Sequence, residues 1–233
     1  MNKLIVIPAR GGSKGIHKKN IALFQGKPLL TYTIELALDA QLDNTDIVVS
    51  TDAEDIMDVA RAYSNIHIIR RPDDLACDTA STEVALIHAI DSMEALFGKK
   101  YDAVITLQPT SPLRNVETFR DFVQKYEDND QCDAMLALTE DRTDFWIKNE
   151  KGCFQRRDPS APRRRQDRTP LYKENSAYYI TDVSVLKDTM SVLGRKVEGY
   201  IISDFEGIDI NEPLDLLIAD AAMRYRKAKL QSV

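Results

Sequence analysis

Residues 4–20 constrain this chain more tightly than any other stretch. Leu4-Ile5-Val6-Ile7 is a short apolar run, rich in β-branched residues, that begins almost at the first residue. Such a run reads as a buried central strand. Pro8 cannot donate to a sheet ladder and ends it. The loop that follows, Ala9-Arg10-Gly11-Gly12-Ser13-Lys14-Gly15, carries three glycines, which let the backbone reach positive φ and approach a ligand closely. Arg10, Ser13, Lys14, Lys18 and Lys19 can all donate hydrogen bonds, and no acidic residue occurs before Glu35. Successive backbone N–H groups with fixed cations make an anion cradle, most simply for the phosphates of a nucleotide. The spacing is not the glycine, four residues, Gly-Lys-Ser/Thr of one common phosphate loop. Nor is it G-x-G-x-x-G, and the acidic residue that such a loop needs about 20 residues on is missing.

Further along, apolar patterns alternate between periods. Leu30, Ile34, Leu38 and Leu42 recur every four residues, which predicts a helix from Pro28 to about Ala40. Asp46–Ser50 reads as a second strand, and Thr51 or Asp52 as the cap of a helix over 53–63. A third strand falls at Ile66–Ile69. Ser81 or Thr79 opens a helix to about Phe97, a fourth strand spans 101–107, and Asn115 caps a helix to Tyr126. Strand and helix alternating at this spacing predict right-handed βαβ units and a mainly parallel sheet. Ligands bind at the carboxyl ends of strands in such sheets, so Arg10, Arg71 and Gln108 are candidates to share one cleft.

After a fifth strand at 134–138 the regularity stops. Residues 139–172 hold seven arginines (142, 156, 157, 163, 164, 165, 168) and three prolines with no steady period. An irregular segment this long reads as an excursion with a task, a lid or a subunit-contact arm. Strands at 177–181 and 197–202 and a helix over about 213–228 complete the pattern.

Composition narrows the class. A net charge of −6 argues against a general nucleic-acid binder. Cys77, Cys132 and Cys153 form no CxxC pair, which suggests a reducing compartment and no structural zinc. No apolar run approaches ~20 residues, so no membrane span is expected. The chain enters a strand at once, leaving no room for a signal peptide, and a cytoplasmic location is the plain expectation.

Taken together and in order, IPARGGSKGI with KKN, STD, RRPDDLACDTAST, LQPTSPLR, RRQDRTPLYKENSAYYI and GIDINEPLD resemble the CMP-acylneuraminate (sialic acid) synthetases and their legionaminic acid relatives, nearly end to end. The resemblance implies a Rossmann-like α/β fold, mixed but mainly parallel, flanked by helices, in one domain over 1–233 with residues 140–172 as a dimerisation or lid arm. It implies transfer of CMP from CTP to the C2 hydroxyl of a nine-carbon 2-keto sugar acid, releasing pyrophosphate, with Mg²⁺ or Mn²⁺, by a homodimer. Arg10 and Lys14 would hold the triphosphate with Ala9, Gly11 and Ser13, while Lys19 and Asn20 close the loop. Arg71 and Ser81 would touch the cytidine or its ribose. Gln108, Arg165, Gln166 and Tyr179 would face the sugar, and Asp209 would bind the metal.

The chemistry of those residue types agrees with such roles. A triphosphate needs cations and a metal, and Mg²⁺ favours carboxylate oxygens and waters; a carboxylate is well held by an arginine fork. Each also has a plainer use. Arg71 can pair with Asp73 or Asp74, Asp209 can cap the last helix, Arg163–Arg168 can be a solvated run, and one of Tyr178 and Tyr179 should be core. Three residues depart from the usual pattern: His17 for proline, Ser176 for the glycine of Asn-Gly-Ala, and Asn211 for the second aspartate of Asp-x-Asp. The same reaction on pseudaminic or octulosonic acid is an alternative, although pseudaminic relatives often carry arginine where Gly15 stands. A catalytically silent nucleotide binder is another, favoured by Asn211.

Overall fold

The computed structural model describes residues 1–13 and 15–231. Strand β1 (Lys3–Pro8) leads through the glycine loop to a short ribbon, β2 (Leu23–Phe24) with β3 (Lys27–Pro28). Helix α1 (Leu29–Ala40), β4 (Thr45–Thr51), α2 (Glu54–Arg61) and β5 (His67–Arg70) follow. Next come α3 (Thr82–Phe97), β6 (Ala103–Thr106), α4 (Val116–Glu127) and β7 (Ala134–Asp141). A hairpin of β8 (Trp146–Lys148) and β9 (Phe154–Arg156) precedes the long β10 (Leu171–Asp182). Helix α5 (Val183–Thr189), β11 (Val197–Ile201) and α6 (Pro213–Gln231) end the chain.

Among the described residues, seven strands form one sheet in the order β11, β7, β10, β6, β1, β4, β5. Strand β10 runs antiparallel to both neighbours, and the other adjacent pairs are parallel. The mainly parallel α/β sheet is therefore as the alternating periods predict. Successive β1 side chains point to opposite faces, and each face has its own core. Ile5 and Ile7 join Leu30 and Ile34 of α1 and Phe119 and Phe122 of α4. Leu4 and Val6 join Leu86, Ile90 and Met93 of α3. Tyr178 of β10 is fully buried between Phe119 and Phe122, ring centroids 5.4 and 5.3 Å away. None of the described helices is long and apolar enough to cross a membrane.

Two caps form as the sequence predicts: Ser81 accepts from Val84 N–H of α3, and Asn115 from Glu117 N–H of α4. Helix α2 differs, because Ala53 sits at its N-cap without a side-chain bond. Thr51 Oγ1 accepts from Ala53 N–H, while the Asp52 carboxylate turns away to the glycine loop.

The irregular segment folds back on itself. Asp144 collects Arg156 at 2.9 Å, Arg168 at 3.5 Å and Arg163 at 3.8 Å. Arg168 also donates to the carbonyls of Arg142, Pro162 and Arg163. Arg168 thus builds the excursion together with Arg156, whereas Arg163 and Arg164 of the 163–168 run are exposed.

Ser176 lies where the β10–β7 register shifts between Glu174 and Tyr179, and its φ is +60°. A side chain at this left-handed position is strained, and glycine would adopt it without that cost. Ser176→Val should destabilise the fold by about 1–3 kcal/mol, measured by denaturant unfolding, whereas Ser176→Gly should stay within about 1 kcal/mol of the parent.

Candidate active site

The glycine loop is pinned at its ends and leaves its middle facing a cleft of about 610 Å³. Ala9 N–H donates to Ser50 O of β4 at 2.9 Å, and Gly11 N–H to Asp52 Oδ1 at 2.9 Å. The buried Asn20 side chain donates to Arg10 O at 2.8 Å and closes the loop. Arg10, Ser13, Lys19, Asn20, Arg71, Ser81 and Gln108 all line this cleft, so the ends of β1, β5 and β6 do converge. Ala9 is buried beneath it, and the Gly11 amide is committed to Asp52 and is no free phosphate donor. Lys14 lies outside the described residues. Across the cleft, Arg10 pairs with Asp78 at 2.8 Å.

One buried arginine, Arg71, lines the cleft and a second, Arg114, lies behind Gln108, and the sequence patterns alone do not explain how either is held. Arg71 is 5% exposed and donates through Nε to Ser50 Oγ at 3.2 Å and through Nη2 to Ser50 O at 2.9 Å. It therefore pairs with Ser50, not with Asp73 or Asp74. Burial holds its guanidinium below the ordinary value, with Asp52 acting the other way. Arg114 donates to Ala177 O and Gln108 O, each at 2.9 Å, and to the Thr33 hydroxyl. It fixes the backbone at Gln108, and burial pushes its own pKa down to about 10.

A second cavity of about 410 Å³ adjoins α6 and the turn at 204–209. Arg165 and Asp209 line it with Lys173, Glu174, Asn175 and Ser176. Gln166 lines neither cavity and lies exposed on the excursion, where its carbonyl accepts from Arg142. Tyr179 is itself buried, 5% exposed, so both tyrosines belong to the interior. Its hydroxyl donates to Glu174 at 2.5 Å, and Glu174 lines the second cavity in its place. Asp209 does not cap α6: its Oδ2 accepts from Asn211 Nδ2 at 2.7 Å, and its Oδ1 is buried with no hydrogen-bond partner.

The sequence matches a family model described as cytidylyltransferase over residues 4–202. The chain belongs to the cytidylyltransferase family. It is similar to a CMP-N,N'-diacetyllegionaminic acid synthase of Legionella pneumophila, 31% identical over 242 residues that span 99% of this chain and 100% of the relative. It also resembles a pseudaminic acid cytidylyltransferase of Campylobacter jejuni, 34% identical over 183 residues, 77% of this chain and 78% of that one. In fold it is similar to a CMP:2-keto-3-deoxy-manno-octonic acid synthetase complexed with CTP. That likeness has a TM-score of 0.71 at 19% identity and covers 97% of this chain and 100% of the other.

In this cytidylyltransferase the glycine-loop cleft also contains Cys77, an exposed thiol 3.2 Å from the Thr79 hydroxyl. That hydrogen bond lowers the Cys77 pKa, whereas burial raises that of Cys132. A thiolate is the reactive form, so Cys77 should alkylate with iodoacetamide faster than Cys132 at pH 7, its rate rising at lower pH than an ordinary thiol's. CTP should slow the modification, as followed by peptide mass spectrometry. Ser50→Ala removes one of the bonds that aim Arg71. It should weaken CTP binding about tenfold, by calorimetric titration, and lower stability by about 1–3 kcal/mol, because the buried Arg71 Nε loses its acceptor.

Proposed function

We propose that the protein transfers CMP from CTP to the C2 hydroxyl of a nine-carbon 2-keto sugar acid of the legionaminate or N-acylneuraminate type, releasing pyrophosphate. The observation that carries this reading is the meeting of two cavities at residues 209–215. One is walled by the glycine loop, with Asn211 at its edge; the other contains Asp209 and Asp215. CTP occupies the first, with its triphosphate on Arg10, Ser13, Lys14 and Lys19 and its cytidine toward Arg71 and Ser81. The sugar acid occupies the second and reaches toward Gln108. Its carboxylate suits Arg165, with Lys173 beside it in the same wall.

In the reaction the C2 oxygen attacks the α-phosphorus in line, the bond from that phosphorus to the β-phosphate bridging oxygen breaks, and the hydroxyl proton is lost. Catalysis of such a step rests on positioning and on neutralising phosphate charge. Asp209 fits a divalent cation: its buried, unpartnered Oδ1 is a hard oxygen donor. Among the described residues no three His, Cys, Asp or Glu side chains converge as metal ligands. Phosphate oxygens and waters must then complete the coordination, which is the habit of Mg²⁺ at nucleotide sites. When bound, the cation would supply charge to the triphosphate and its leaving pyrophosphate.

In this reading the chain is one domain and a cytoplasmic homodimer, with residues 140–172 as the contact arm. Trp146, Ile147, Phe154 and Tyr172 are large and exposed on that segment, which supports a covering surface. The same reaction on pseudaminic acid is the second reading, favoured by the 34% identical relative. Against it, a Cβ at Gly15 would stand 2.2 Å from Asn211 O, so the arginine common in those relatives does not fit without backbone movement.

Pyrophosphate release with Mg²⁺ should occur with CTP and not ATP, GTP or UTP, and with one acid among N-acetylneuraminic, legionaminic, pseudaminic and octulosonic acids. No release with any of these acids, despite measurable CTP binding, would point to a silent binder. Arg165→Ala should raise KM for the sugar acid about tenfold or more and leave that for CTP nearly unchanged. The reverse pattern would move Arg165 to the nucleotide.

A further inference from the structure

The segment between the two cavities is held from several directions. Ile210 N–H donates to Thr110 O at 2.9 Å. The Asp215 carboxylate accepts from the N–H groups of Asn211 and Glu212 at 2.9 and 2.8 Å. Lys19 of the loop region donates to Ile210 O at 2.9 Å and to Asn211 Oδ1 at 3.0 Å. With its oxygen on Lys19, the Asn211 amide gives its Nδ2 to Asp209 Oδ2 at 2.7 Å. The orientation is unambiguous, since an ammonium only donates and a carboxylate only accepts.

We infer that Asn211 is a positioning residue that ties Lys19 to Asp209 and leaves one oxygen of that carboxylate, its unpartnered Oδ1, to a divalent cation, so that the metal binds well only together with the nucleotide. The inference rests on the reading of Asp209 as the metal carboxylate and adds the part played by its neighbour. An aspartate at 211 could still accept from Lys19, but its other oxygen would then face Asp209 Oδ2 at hydrogen-bond range. Two carboxylates so close are stable together only with a cation or proton between them. Asparagine puts an N–H there instead. Asp209 is thereby fixed before any metal arrives, and a lone carboxylate oxygen is a weak site for a cation that prefers six oxygens. The triphosphate supplies the others, so the departure from Asp-x-Asp alters when the metal binds without abolishing its site.

The test is a titration of the full-length protein with Mn²⁺ in the absence of nucleotide, followed by the electron paramagnetic resonance signal of free Mn²⁺. The parent should bind weakly. Asn211→Asp, an isosteric change at an exposed residue, should bind Mn²⁺ at least tenfold more tightly. The gain should disappear in the double variant Asn211→Asp, Asp209→Asn. Thermal melting provides a second readout: Mn²⁺ alone should raise the Tm of Asn211→Asp by several degrees and that of the parent hardly at all. Equal Mn²⁺ affinity in parent and Asn211→Asp would overturn the inference, as would a gain that survives loss of the Asp209 carboxylate. Neither CTP nor a sugar acid enters this titration, so its result is separate from that of the pyrophosphate assay.

Discussion

A guanidinium taken out of water needs partners for its donors, and this molecule buries two of them near one cleft, Arg71 in its wall and Arg114 behind Gln108. Arg71 and Arg114 are 5% and 7% exposed, and among the described residues neither forms an ion pair. Their bonded donors go to carbonyls and hydroxyls, Ser50 for Arg71 and Gln108, Ala177 and Thr33 for Arg114, while Arg114 Nε is buried without a partner among the described residues. A neutral acceptor satisfies a hydrogen bond without cancelling the charge. The fold therefore keeps two guanidinium charges near the cleft that no carboxylate neutralises by a direct ion pair among the described residues, each aimed by its hydrogen bonds. Removing Ser50 or Gln108 from its place would disturb a strand end and a buried charge together, which ties the stability of the sheet to the shape of the site.

The same economy explains how an acidic protein holds polyanions. The net charge is −6, yet the glycine loop is basic and its nearest carboxylates are employed. Asp52 holds the Gly11 amide, Asp55 pairs with Lys18 at 2.6 Å, and Asp215 caps the turn before α6. Lys19 sits between the two cavities, half-buried, and burial lowers its pKa more than Asp209 raises it. Its charge is then poorly solvated, a state in which a phosphate oxygen is a stronger partner than it would be in bulk water.

Local signals made the first cleft legible before any coordinates. The apolar run of β1, the glycine loop, and the rule that ligands gather at strand ends bring Arg10, Arg71 and Gln108 together without reference to tertiary contacts. The caps Ser81 and Asn115 are equally local, each bonding within three residues. What the patterns missed was set by distance along the chain. Asp52 looked like a helix cap but reaches back 41 residues to Gly11, and Ser50 reaches forward 21 to Arg71. The β8–β9 hairpin is only three residues per strand, too short to show a period. Helix α5 follows β10 with no intervening loop, so no change of composition marks it. Gln166 and Tyr179, which the resemblance turns toward the sugar, line neither cavity.

The arm poses the opposite problem to the cleft, because its order is achieved with little core. Asp144 gathers three arginines, and two of them, Arg156 and Arg168, in turn hold the carbonyls of residues 142, 159, 161, 162 and 163. One carboxylate organises the turns while the apolar side chains remain outside: Trp146 is 54% and Phe154 72% exposed. A segment stabilised by polar bonds can present such residues outward without collapsing onto them. In the proposed dimer that is the useful property, since an arm already shaped by its own hydrogen bonds loses less conformational freedom when a second copy covers it.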